Sequence, residues 1–278
     1  MIVAEFTAFV LCAAFAAGFI GSLTGLGGGV IVTPVLTLFL GVDLRYAIGA
    51  TLVSVIATSS GAAAAYVRDG LSNIRIGMFL EIATTLGAVM GAYLGPHIPT
   101  RALSIVFGLV LLEAAWQSSH EQSAFTAALS PDPLAAKLKL NGTYKTGSEV
   151  EAYNVHRVKT GFGLMFGAGT LSGLLGIGSG SLKVIAMDRA MQIPFKVSTA
   201  TSNFMIGVTA AASASVYLSR GYVNPGIAMP VMLGVLAGSL LGARFLPRVP
   251  VVHLRRVFAV VVGLMALQMV VSGVLGKI

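Results

Sequence analysis

The residues that could do chemistry in this chain are few, and their spacing singles out two places. Gly25-Leu26-Gly27-Gly28-Gly29 precedes a short apolar run from Val30, and Gly176-Ile177-Gly178-Ser179-Gly180-Ser181 precedes another from Leu182. Glycine permits positive φ and close backbone approach, and a helix starting just after such a turn points unpaired N–H groups at whatever lies in front of it. Two such termini facing each other would form a positive site for an anion without a full charge on either wall. Lys183 lies three residues beyond Gly180. An uncompensated ammonium inside a membrane costs roughly 3 kcal/mol or more, and a helix N-terminus is the unfavourable end of the dipole for a cation. Something negative should therefore stand near it, either a bound anion or Asp188. These arguments make Gly27, Gly28, Gly29, Gly178, Ser179, Gly180, Ser181 and Lys183 candidate substrate-binding residues. The competing reading gives the glycines to close helix packing and Lys183 to a structural ion pair or to snorkelling.

A second polar group, Ser198-Thr199-Ala200-Thr201-Ser202-Asn203, has its counterpart in Ala47-Ile48-Gly49-Ala50-Thr51. Hydroxyl and amide donors at helical spacing can bind the oxygens of a small oxyanion, which adds Thr51, Thr201, Ser202 and Asn203 to the substrate-binding candidates. Their alternative use is helix-to-helix hydrogen bonding, worth about 0.6 kcal/mol on average in bilayers. Two carboxylates lie within apolar runs, Glu81 and Glu113. Glu81 is the better candidate for carrying a coupling proton, because Glu113 is close enough to a run's end to reach the interface. No catalytic set and no metal site is expected. His120 and His156 are far apart, Cys12 is the only cysteine, and no nucleophile stands with a base, so neither an enzyme nor a cofactor is expected.

The elements that must position these groups follow from composition. Of 278 residues, 56% are hydrophobic and 10% charged. A soluble domain carries about 25% charged residues, so this chain cannot coat a globule in water and reads as all-α and polytopic in a membrane. The net charge of +8 sits in short loops, so no nucleic-acid partner is expected. Apolar runs fall at about 2–23, 30–41, 46–67, 74–95 and 101–117, then 158–176, 182–193, 197–219, 225–246 and 252–275. The second of each five is only about a dozen residues long, too short to span at about 1.5 Å per residue, and reads as a half-helix after its glycine turn. An ungapped offset of 151 residues pairs Gly27 with Gly178, Tyr66 with Tyr217, Asn73 with Asn224, Gly87 with Gly238, Gly91 with Gly242 and Pro96 with Pro247. The chain is therefore expected to be a duplication: 1–117 as a first membrane repeat, 118–157 as a cytoplasmic loop and 158–278 as a second repeat.

If all five segments of each repeat cross, one side collects Arg68, Arg75, Lys137, Lys139, Arg157 and most other basic residues. The other keeps Arg45, Arg101, Arg220 and Lys277. The positive-inside rule then favours two inverted five-segment repeats, with both termini outside the cytoplasm. Within 118–157, Leu138–Tyr144 and Glu149–Val155 read as two strands around a turn at Lys145-Thr146-Gly147-Ser148. Such a ribbon is marginal alone and is expected to pack on the membrane domain or a partner chain. The spacings of Gly87 with Gly91 and of Gly238 with Gly242 are helix-packing signals first.

The glycine clusters, the stretch from Lys183 through Ser202-Asn203-Phe204-Met205-Ile206-Gly207 to Ala211, and the loop element Leu140-Asn141-Gly142-Thr143-Tyr144 resemble the TauE/SafE sulfite-exporter family over about Gly18 to Gly273. The resemblance implies a permease exporting small sulfur-containing anions, sulfite or organosulfonates, across the inner membrane. It and the packing glycines leave room for a homodimer in the lipid bilayer. Transport by alternating access, driven by protons or membrane potential, fits a chain without a P-loop. The alternative class is a cation or transition-metal carrier or channel. Two departures from the family pattern stand in the second repeat. Ser179 interrupts what is usually a run of three glycines, and Ile185 and Asp188 replace a common Pro and Asn; Asp188 places a carboxylate close to Lys183 in sequence.

Overall fold

The computed structural model describes residues 3–24, 29–68, 72–119, 132–146, 149–245 and 251–276. The first half holds α1 (Val3–Thr24), α2 (Gly29–Pro34), α3 (Leu44–Arg68), α4 (Ile74–Leu94) and α5 (Thr100–Ser119). A short α6 (Pro133–Lys137) and the strands β1 (Gly142–Thr146) and β2 (Glu149–Tyr153) fill the loop. The second half holds α7 (Val158–Leu175), α8 (Gly180–Ile185), α9 (Phe195–Ser219), α10 (Pro225–Phe245) and α11 (Val251–Leu275). The chain is thus mostly helical, as an all-α membrane protein requires. Among the described residues, three helical segments, Ile74–His97, Thr100–Gln117 and Pro225–Gly242, are by themselves long and apolar enough to cross a bilayer. Met78, Ile82, Leu86 and Tyr93 point outward along one stripe of α4, and Val260, Leu264, Leu267, Val271 and Val274 do so on α11. This outward apolar surface suits lipid.

The two short runs are half-helices, and the structure gives them one further shared feature. α2 passes directly into a π-helical turn at Val35–Phe39, and α8 into one at Ala186–Ala190, 151 residues later. Each ends in the same wide hydrogen bond, Val42 N–H to the Leu36 carbonyl and Ile193 N–H to the Met187 carbonyl, both 3.0 Å. The residue that turns the chain is left-handed in both, Gly41 at φ +62° and Gln192 at φ +55°. Glycine adopts that conformation without steric penalty, and Gln192 does not.

Packing exchanges the two halves. α1 lies on α10, α7 on α4, α3 on α9 and α5 on α11. A Cβ built on Gly87, Gly91, Gly169 or Gly173 would run into backbone of the facing helix: Phe166 and Thr170, Thr170 and Leu174, Thr84, or Ala88 and Ala92. α4 and α7 therefore run parallel with backbones in contact. Gly18, Gly234 and Gly238 make the equivalent parallel contact between α1 and α10. By contrast, Gly108 faces Ala266 and Val270 while Gly273 faces Arg101 and Ser104, so α5 and α11 are antiparallel. Gly49 against Tyr222 and Gly207 against Ser59 make α3 and α9 antiparallel too.

The loop is docked on the helices. Its strands pair in antiparallel register from Gly142 with Tyr153 to Thr146 with Glu149; the second begins at Glu149 as the sequence suggests, but the first starts four residues later, because Leu138 and Lys139 are used to end α6. Leu140, Tyr153 and Val155 join Ile76, Leu80, Met187, Met191 and Val197 in one apolar cluster. Asn73 caps α4 by accepting the Ile76 N–H at 3.1 Å, and its amide donates to the Leu140 carbonyl (3.1 Å) and the Tyr153 hydroxyl (2.7 Å).

Asp132 ties the loop to the second half. Its Oδ1 accepts the Leu134 N–H at 2.8 Å and its Oδ2 the Val158 N–H, the first of α7, at 2.9 Å. The Val158 N–H holds this carboxyl below the ordinary carboxylate range, against a smaller opposing effect of burial. A depressed folded-state value means the stabilisation is complete above about pH 4, the unfolded value, and is lost as pH falls through the lower folded value. The Val158 amide should accordingly lose hydrogen-exchange protection in that acid window in the native chain. In Asp132→Ala, protection should be low at every pH.

Candidate anion site

The second glycine turn holds three left-handed residues, Gly176 at φ +70°, Gly178 at φ +71° and Ser179 at φ +45°, with Ile177 between the first two. Gly178 has no room for a side chain, because a Cβ would meet Ile206 on α9 and come close to Val55 on α3, two residues equivalent under the 151-residue offset. The turn thus sits where the halves meet. Ser179 is 1% exposed and its hydroxyl has no hydrogen-bond partner among the described residues, so it does not cap α8. Gly29, at the matching helix start, has its α-carbon against Val55 and Thr51. Gly27 and Gly28 lie outside the described residues.

Lys183 is fully buried, and its ammonium does not turn to Asp188. Asp188 lies five residues further on, within the π-helical turn Ala186–Ala190. Lys183 Nζ instead donates to Thr209 Oγ1 on α9 at 2.6 Å. Thr209, also fully buried, donates to Glu81 Oε1 on α4 at 2.7 Å, with the Met205 carbonyl as a second acceptor at 2.9 Å. Thr85 donates to the same Glu81 Oε1 at 3.0 Å, while Glu81 Oε2 is buried with no hydrogen-bond partner among the described residues. The buried ammonium and carboxylate are therefore joined through one hydroxyl and not as a contact ion pair. Such an arrangement neutralises both charges and leaves the remaining ammonium N–H bonds for something else.

The other candidates spend hydrogen bonds on helix packing. The Thr201 hydroxyl accepts the Asn73 N–H at 3.0 Å, and Ser202 donates to the Gly180 carbonyl at 3.2 Å, closing α9 onto the start of α8. Asn203 turns its amide N–H back to the Thr199 carbonyl at 3.0 Å. Thr51 pairs with Thr33 at 2.8 Å and donates to the Ala47 carbonyl. Ser181 is buried beside Lys183 in sequence, and Glu113 is half-buried away from this cluster.

Thr209 was not distinguishable in the sequence. Its pairing with Glu81 repeats a spacing of 128 residues also seen from Ser72 to Ala200 and from Asn73 to Thr201, which is the register of α4 lying parallel to α9. Only the fold supplies that register.

A family model described as "Sulfite exporter TauE/SafE" matches residues 10–269, nearly the whole chain. The chain belongs to the TauE/SafE sulfite exporter family. Among its relatives, it is 28% identical over 265 residues to the probable membrane transporter protein YunE of Bacillus subtilis, covering 93% of this chain and 95% of that one. It is 26% identical over 247 residues to the probable membrane transporter protein YdhB of the same organism, covering 88% and 93%. A probable membrane transporter protein of Methanocaldococcus jannaschii is 24% identical over 270 residues, covering 92% of each chain. No solved structure matches. The apolar helices and the TauE/SafE membership together make this a multi-pass membrane protein of a transporter family.

Proposed function

We propose that the chain is a permease for small sulfur-containing anions, sulfite or organosulfonates, which it carries out of the cell across the inner membrane by alternating access. The observation that carries this reading is Lys183: a fully buried ammonium at the start of a half-helix, held by a hydroxyl and not locked to a carboxylate. An anion arriving there would meet the ammonium, while the Ser179 hydroxyl, buried and unpartnered among the described residues, stands just before the same short helix. Gly29, Gly178, Gly180, Ser181, Thr51, Thr201, Ser202 and Asn203 remain the further substrate-binding residues of this reading, with Gly27 and Gly28 assigned to it from the sequence alone. Glu81 is the group that takes a coupling proton if protons, and not the membrane potential alone, drive the cycle.

Two inverted repeats are part of the proposal. The helix directions support them, since segments that alternate across a membrane in two oppositely oriented halves give parallel α1–α10 and α4–α7 pairs and antiparallel α3–α9 and α5–α11 pairs. Charge placement supports the sidedness. Arg45 donates to the Pro96 carbonyl and Arg220 lies over the Tyr93 ring, both at the C-terminal end of α4, whereas Arg75 and Lys139 lie at its N-terminal end with the loop. The loop end is then cytoplasmic and the termini are outside.

Proteoliposomes loaded with labelled sulfite, methanesulfonate or thiosulfate test the function. Efflux of at least one of them above protein-free vesicles is the expected result. Transport of none of the three, or uptake of divalent cations instead, would remove the anion reading.

A further inference from the structure

We infer that the cleft between the start of α4 and the loop hairpin is a lipid-phosphate site, in which the headgroup of an anionic membrane lipid bridges Arg75 to Lys139 and holds the loop on the helices. This site involves neither the carried anion nor the Lys183 cluster, so it stands or falls independently of the transport reading. It also gives a use to the loop element Leu140-Asn141-Gly142-Thr143-Tyr144, which the anion site leaves unused.

The cleft has a volume of about 300 Å³ and is bordered by two separate pieces of chain. Asn73 and Arg75 stand at the start of α4, while Lys139, Asn141, Thr143 and Tyr153 belong to the loop. The side-chain acceptors are engaged inward. Asn73 Oδ1 takes the Ile76 N–H at 3.1 Å, Asn141 Oδ1 takes the Val155 N–H at 2.9 Å, and the Tyr153 hydroxyl oxygen takes an Asn73 amide N–H at 2.7 Å. What remains are donors. The Asn141 amide, the Thr143 hydroxyl, the phenolic hydrogen of Tyr153 and both cationic groups have no acceptor among the described residues, and no described carboxylate borders the cleft. Glu151, on the neighbouring strand, is bonded instead to the Tyr144 hydroxyl at 2.6 Å. Donors from several directions around two positive charges suit the multiple oxygens of one phosphate.

The backbone at Lys139 is built to place its cation here. α6 closes with the Leu140 N–H on the Ala135 carbonyl at 2.9 Å and the Lys139 N–H on the Ala136 carbonyl at 3.1 Å, leaving Lys139 left-handed at φ +52°. Glycine ends helices this way without strain, so lysine lowers stability at this position and supplies an ammonium. Gly142 is held to glycine by contact. A Cβ there would lie 2.8 Å from the Tyr153 hydroxyl and 3.1 Å from the Asn73 amide, the pair that joins the hairpin to α4. Location makes the phosphate a lipid's. Ile74 borders the cleft and also begins an outward apolar stripe that continues through Met78, Ile82 and Leu86 at four-residue spacing along α4. The first turn of a helix long and apolar enough to span lies at headgroup depth, so an acyl chain on that stripe leads up to a phosphate in the cleft. A free phosphate ester would use the same donors and not the stripe.

Thermal unfolding of the detergent-solubilised full chain, titrated with phosphatidylglycerol or with phosphatidylcholine, tests the site. Phosphatidylglycerol is expected to raise the unfolding temperature by several degrees and phosphatidylcholine to raise it little. Arg75→Gln with Lys139→Gln should weaken the apparent affinity for phosphatidylglycerol about 30-fold, at roughly fivefold per cation at a membrane surface. Lys137→Gln with Lys159→Gln removes two exposed cations outside the cleft and should weaken it by no more than about threefold. Lys139→Gly separates binding from folding. Without lipid it should unfold at or above the native temperature, because the left-handed strain is relieved, while its rise with phosphatidylglycerol shrinks. Equal rises with the two lipids, or equal losses in the two double variants, would overturn the site. Should the Arg75 and Lys139 double variant fail to fold, a full lipid-dependent rise in Lys139→Gly overturns it as well. If glycerol 3-phosphate at matched concentration stabilises the native chain as far as phosphatidylglycerol does, the cleft takes a soluble phosphate ester and the lipid assignment falls.

Discussion

Lys183→Met is expected to reduce anion flux in proteoliposomes by about 10- to 100-fold, the worth of one hydrogen bond to a charged group, about 1.5–3 kcal/mol. Methionine keeps the length and apolar stem of lysine and removes only the ammonium. The change also leaves Glu81 buried beside a hydroxyl with no opposing charge, which on its own destabilises a protein by about 3–5 kcal/mol. The two effects separate in the double variant. Lys183→Met with Glu81→Gln replaces both charges by neutral groups of similar shape, so its thermal stability should return towards that of the native chain while its flux stays low. A double variant that transports as the native chain does would show that Lys183 serves only to neutralise Glu81.

The second large effect is structural. Gly173→Ala should lower the unfolding temperature in detergent by several degrees, corresponding to about 1–3 kcal/mol of overpacking. The added methyl would meet the Ala88 carbonyl and the Ala92 N–H of α4, backbone atoms within a continuous helix that have no rotamer to move to. α7 contains its own control. A Cβ at Gly163 or Gly167 has nothing within 4 Å, so alanine there should be neutral or should stabilise, by up to about 1 kcal/mol of helix propensity. Equal losses at Gly163 and Gly173 would mean that close α4–α7 approach is not what these glycines provide.

The features legible in the sequence are the ones that repeat. The half-helices, the glycine turn before α8 and the packing glycines Gly87, Gly91 and Gly238 were marked by a spacing that occurs twice, and spacing survives in one dimension; the loop hairpin was marked by its own strand pattern around a turn. The π-helical turns ending α2 and α8 recur at the same offset, but nothing in composition separates a π-turn from an α-turn. The other feature that stayed hidden does not repeat. Lys183 was conspicuous as a cation in an apolar run, and its need for a negative partner followed from electrostatics alone. Asp188, its neighbour in sequence, was the natural candidate, yet the Lys183 ammonium bonds Thr209 instead, and the register of α4 against α9 delivers Glu81 from the other half of the chain through Thr209. The polar run from Ser198 to Asn203 shows the converse. Its hydroxyls and amide look like ligands for an oxyanion, and the fold uses several of them to bind Gly180, Asn73 and their own helix.

The central claim is that an anion binds at Lys183, and selenite, the heavier analogue of sulfite, locates itself by anomalous scattering. In a crystal of the full chain grown with selenite, the selenium peak should lie within one selenite radius plus a hydrogen bond of Lys183 Nζ, in front of the Gly178-Ser179-Gly180 turn. Selenium ordered elsewhere in the membrane region, with Lys183 still bound only to Thr209, would contradict it.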